Sequence, residues 1–66
     1  MKQSNPVDVM RMALEREKRA VRDYSEFAKT AADPSIREMF LFLAEEEKKH
    51  VKLLDEEIDR EVNQEM

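Results

Sequence analysis

The sequence predicts an all-α protein, one antiparallel hairpin of two long helices. Three observations carry that prediction. Apolar side chains recur every three or four residues in each half of the chain. The dipeptides Asn5-Pro6 and Asp33-Pro34 stand where helices would begin, and no glycine interrupts either half. Charged residues make up 42% of the 66, as long helices with wet outer faces require.

The first helix is expected over about residues 6–32. Asn5 supplies a capping side chain, and Pro6 suits a first helical position, where no N–H is needed. Its stripe reads Met10, Ala13, Glu17, Ala20, Tyr24, Phe27, Ala31. Asp33-Pro34 repeats the start signal, and a proline disfavours helical dihedrals in the residue before it, which puts the turn at 33. The second helix is expected over about 34–61, with the stripe Ile36, Phe40, Leu43, Glu47, His50, Leu54, Ile58. The tail 63–66 is expected to fray. Residues 1–66 thus read as a single hairpin domain.

Composition removes several functions. With no cysteine, disulfides, zinc ribbons, iron–sulfur clusters and thiol catalysis have nothing to build on. A net charge of −4 argues against nucleic acid, which calls for a basic stripe. Lys and Arg are interleaved with acids at helical pair spacing, as in Glu15–Arg19, Glu45–Lys49 and Glu56–Arg60. No segment has the apolar run of a membrane span, and the opening residues do not read as a secretory signal, so no membrane is expected and the cytoplasm is the expected compartment.

Glu17, Glu47 and His50 interrupt the two stripes. An inward carboxylate is costly unless it is paired or bound to a cation. Glu17 lies 16 residues before Asp33, about 24 Å of helix at 1.5 Å per residue. Glu47 and His50 lie 14 and 17 residues after it, about 21 and 26 Å by the same rise. Folding the hairpin should therefore bring all three to one level. Glu47 and His50, three apart, share a helix face and can serve one cation. Glu46, one turn before His50, is the rival ligand.

Two helices leave one side open, and a chain this short seldom completes a core alone. A second copy related by a two-fold axis would close a four-helix bundle. The pair would then hold four carboxylates and two imidazoles. That is the inventory of carboxylate-bridged di-iron or di-manganese bundles: one Glu from each of two helices and Glu-x-x-His from each of the others. Tyr24 fills volume in the stripe, with a hydrogen bond to a ligating carboxylate as the alternative role. Met10, Met12 and Met39 read as gap-filling side chains without a metal role.

At these residues the chain resembles ferritin-like proteins of the rubrerythrin type. The matching text is Ala13-Leu14-x-x-Glu17-x-x-Ala20-Val21-x-x-Tyr24-x-x-x-Ala28, then Leu43-Ala44-x-x-Glu47-x-x-His50-x-x-Leu53-Leu54. The resemblance covers roughly residues 10–58. It implies a di-iron centre with Glu17 as ligand, Glu47 bridging or chelating, His50 as terminal ligand, and Tyr24 near the metals. Most such proteins carry four helices in one chain. A single hairpin is similar instead to the half-sized branch that includes encapsulated ferritins, which form iron sites between subunits and work inside a protein compartment. The cysteine-bound rubredoxin iron of rubrerythrin has no ligands here.

The leading functional reading is a di-iron carboxylate protein that oxidises Fe(II) with O2 or peroxide, as a ferroxidase or a rubrerythrin-like peroxidase does, at a site shared by two chains. Manganese suits the same donors. The rivals are a metal-free helical dimerisation module, with the three groups as ion pairs across the seam, and a purely structural metal site. The run Ile36 to Ala44 is greasy around most of its circumference, so assembly beyond the dimer is expected through Leu41 and Phe42.

Overall fold

The computed structural model describes residues 5–64, and these form two helices, α1 (Pro6–Thr30) and α2 (Pro34–Gln64). The helices run antiparallel and pack along their length. Each start is built as the sequence implies. The Asn5 side chain accepts from the Val7 N–H at 2.7 Å, and the Asp33 carboxylate accepts from the Ser35 N–H at 2.8 Å. Each proline then takes the first helical position, and each cap satisfies a donor that the helix leaves orphaned.

α1 ends at Thr30 rather than 32. Asp33 must be extended to cap α2, and the chain also needs Ala31 and Ala32 to reverse direction. Without glycine, the exit from α1 uses an extended Ala31 (φ −73, ψ 124), and no described residue has positive φ. The carbonyls of the turn are reached from α2: the Arg37 guanidinium donates to Ala31 O at 3.2 Å and Ala32 O at 3.4 Å. α2 runs on to Gln64 instead of stopping near 61, because no glycine or proline follows Pro34 to break it. Of the tail expected to fray, Asn63 and Gln64 are helical; Glu65 and Met66 lie outside the described residues.

The seam is thin. Val7, Leu14 and Ile58 form its buried cluster, with Met10, Val51 and Leu54 packed against them, and Ala28 and Ala44 are buried elsewhere along it. The radius of gyration is 15.4 Å, where a compact chain of this length would measure about 11 Å. The accessible surface is 5513 Å², against about 4,400 Å² for a compact monomer of this mass. Large apolar side chains stay in water, among them Met12, Met39, Phe42 and Leu53.

The ion pairs on the outer faces form one residue closer than the spacing suggested. Glu15 pairs with Lys18 at 3.8 Å, Glu45 with Lys48 at 2.9 Å, and Glu57 with Arg60, all three apart. Positions three and four apart are both neighbours on a helix, and exposed pairs of either kind are worth little.

Candidate metal centre

α1 supplies Glu17 and α2 supplies Glu47 and His50. The hairpin brings them together: one ligand atom from each lies within 4.8 Å of the other two. The His50 Nδ1 is 3.1 Å from Glu17 Oε1 and 3.2 Å from Glu47 Oε1. A protonated Nδ1–H therefore donates to both carboxyl groups at once. Glu46 stands apart from this cluster. Its carboxylate turns to Lys49 at 3.0 Å, one position round the helix and toward solvent.

Glu17 and Glu47 are only partly covered at the seam, and His50 is exposed. The side chains of Glu17 and Glu47 are 29% and 22% exposed, and that of His50 is 53% exposed. A hairpin has no third wall, so the imidazole forms the rim of the site.

Proximity shifts the proton affinities. A hydrogen bond from Glu47 holds the Glu17 carboxyl below its ordinary value, and partial desolvation opposes this. The same bond, with Glu47 as the proton holder, raises Glu47 above its ordinary value. The two carboxyl groups thus differ in proton affinity, as close like charges do. Hydrogen bonds to Glu17 and then Glu47 raise the His50 imidazole above its ordinary 6.5. Two crowded carboxylates are an anionic site that takes up positive charge, as a proton or as a metal cation.

The centre sits between two kinds of packing. Toward the open end lie Leu14 and Ile58. Toward the turn, Tyr24, Phe27 and Phe40 make an aromatic cluster, with Tyr24 stacked on Phe40 at 6.1 Å and Phe27 edge-on to Phe40 at 5.3 Å. Within one chain the Tyr24 hydroxyl makes no hydrogen bond to Glu17, Glu47 or His50.

The rubrerythrin family model matches residues 8–65, nearly the whole chain. The chain belongs to the rubrerythrin family. No curated protein and no solved structure gives a match beside it. The rubrerythrin match spans both halves of the donor set, Glu17 on α1 and Glu47 with His50 on α2. Among the described residues, no helix of this rubrerythrin-family chain is long and apolar enough to cross a membrane.

Two carboxylates and an imidazole fit iron or manganese by donor chemistry. Hard oxygen donors stabilise the higher oxidation state, and imidazole suits the same metals.

Proposed function

We propose that two copies pair across the face holding Glu17, Glu47 and His50, closing a ferritin-like four-helix bundle around a di-iron carboxylate centre that oxidises Fe(II). The observation that carries this reading is the convergence of the three donor atoms within 4.8 Å from two helices. The exposed apolar residues support the pairing. Phe27 and Ile36 belong to the site's own stripes yet stay exposed, and Val9 and Met39 lie one turn before the stripe residues Ala13 and Leu43. A second copy covers them and supplies the missing wall.

Glu17 and Glu47 hold cations in this reading. His50 releases its Nδ1 proton when metal enters, and its half-exposed ring gives that proton a direct path to water. When bound, the iron pair supplies the redox chemistry, with Fe(II) giving electrons to O2 or peroxide. The chain's part is to place the donors, exclude bulk water through the paired apolar faces, and keep the imidazole oriented. Manganese is the alternative occupant. The cytoplasm, or a protein compartment within it, is the proposed setting.

One observation favours a second reading. His50 already makes both carboxylate contacts without metal, so the trio also works as an ion-pair seam in a metal-free dimerisation module. Anaerobic Fe(II) loading followed by air separates the two. The di-iron reading expects a ferric absorption band that grows within seconds and is lost in His50→Ala; the seam reading expects no band and a melting temperature indifferent to chelator.

A further inference from the structure

The face of the hairpin turned away from the metal centre is basic, although the chain as a whole is acidic. Lys18 and Lys48 each follow a donor residue by one position, which turns them about 100° from Glu17 and Glu47. With Arg22 they line an open groove of about 270 Å³ over a floor of Val21 and Val51. Toward the turn lies a second groove of about 240 Å³, with Lys29 and Arg37 over Ala28 and Leu41. Acids outnumber cations 16 to 12 in the sequence. Yet five cations and, among the described residues, no carboxylate line the two grooves.

The positive charge there is poorly compensated. Lys18, Lys29 and Lys48 reach Glu15 at 3.8 Å, Glu26 at 3.3 Å and Glu45 at 2.9 Å, in exposed pairs worth little. Arg22 has no ion-pair partner among the described residues. Arg37 donates to the neutral carbonyls of Ala31 and Ala32. Beneath these cations the floor is open to solvent, with Leu41 half exposed.

An occupant that fits must bring carboxylates and apolar side chains together. The two floors lie seven residues apart on α1, Val21 to Ala28, and ten apart on α2, Leu41 to Val51, or about 10.5 and 15 Å. A helix laid along the seam meets both floors with apolar residues seven or eight positions apart, about 10.5–12 Å. Glutamates or aspartates beside those anchors reach cations on both walls. A nucleic acid fits less well. The floors are aliphatic and offer no ring for a base to stack on, and Glu15, Glu26 and Glu45 border the cations that a continuous phosphate backbone would follow. We propose that these grooves dock an acidic amphipathic helix of a partner protein, which lies as a third helix on the back of the hairpin and leaves the metal face free. Acids elsewhere on the chain repel such a helix, so charge also fixes where it docks.

The probe is a fluorescein-labelled synthetic helix with two leucines seven positions apart and glutamates beside each. It is added to the full chain with chelator present, which makes the result independent of the metal reading. A control peptide carries serine in place of both leucines. Fluorescence polarisation should show saturable binding that weakens with salt and is lost with the serine peptide. Arg22→Glu and Leu41→Ser should each weaken binding about tenfold or more, while circular dichroism stays helical and, in a separate assay, iron loading stays that of the parent chain. Three results overturn the proposal: no saturable binding at low salt, binding that both variants leave unchanged, or equally tight binding of the serine peptide, polyglutamate or a single-stranded oligonucleotide. Larger species of the chain alone that Arg22→Glu disperses also overturn it, because a second copy then fills the grooves.

Discussion

The Nδ1 atom of His50 lies 3.1 Å from Glu17 Oε1, although 33 positions separate the two residues in the chain. This contact joins the two helices at the one level where their apolar stripes are interrupted. It is an acid–base contact, so the proton that bridges it competes with any cation for the same oxygens.

Metal binding should therefore tighten as pH rises. The Glu17 and Glu47 contacts raise the His50 imidazole above 6.5, so protons block the site into the neutral range. Calorimetric Fe(II) or Mn(II) titrations run anaerobically should show affinity increasing through that window, with proton release measurable from the buffer dependence of the enthalpy. Affinity that stays flat with pH would mean the cation avoids this trio.

The metal-free chain should show the opposite slope. A raised imidazole pKa contributes stability that is complete below pH 6.5 and lost as pH climbs through the folded value. The raised Glu47 works in the same sense, from 4.5 upward. The lowered Glu17 works against it at the acid end, with stability present above 4.5 and lost as pH falls through its folded value. With chelator present, the melting temperature should fall from about pH 6.5 upward, where the His50 contribution disappears. His50→Ala should flatten that fall.

Ligand variants should separate metal loading from folding. Glu47→Ala and His50→Ala keep helix propensity, since alanine is the best helix former. Iron content should drop by more than the roughly 10–100-fold that loss of a supporting partner costs, and Fe(II) oxidation should collapse with it. Metal-free Glu47→Ala should be at least as stable as the parent, because one of two crowded carboxyls is gone. Glu46→Ala should load normally, since that side chain serves Lys49. Normal iron loading in Glu47→Ala would instead make Glu46 the ligand.

Much of this was legible in the chain, for identifiable reasons. Asn5-Pro6 and Asp33-Pro34 mark both helix starts because capping is local chemistry. The shared level of Glu17, Glu47 and His50 follows from a constant rise per residue counted from one turn. The exit from α1 was less legible, because Arg37 closes it from six residues beyond Ala31.

The thin seam makes single packing residues count. Leu14, 8% exposed, sits in the buried cluster with Val7 and Ile58. Leu14→Ala should cost about 2–5 kcal/mol, enough to lower the melting temperature sharply at every protein concentration. Asp33→Ala removes the acceptor for the Ser35 N–H and should cost about 1 kcal/mol. Met39→Ser, at a side chain 59% exposed, should leave a dilute chain unchanged yet weaken pairing, visible as a melting temperature that depends more steeply on concentration.

The most direct measurement is metal content against mass for aerobically purified protein, by elemental analysis and light scattering on the same eluting species. Near-stoichiometric iron or manganese, about one atom per chain, is expected in a species no smaller than a dimer, with the metal absent from the Glu17→Ala, Glu47→Ala and His50→Ala chains. A metal-free dimer that fails to take up Fe(II) or Mn(II) with all three residues intact would contradict it.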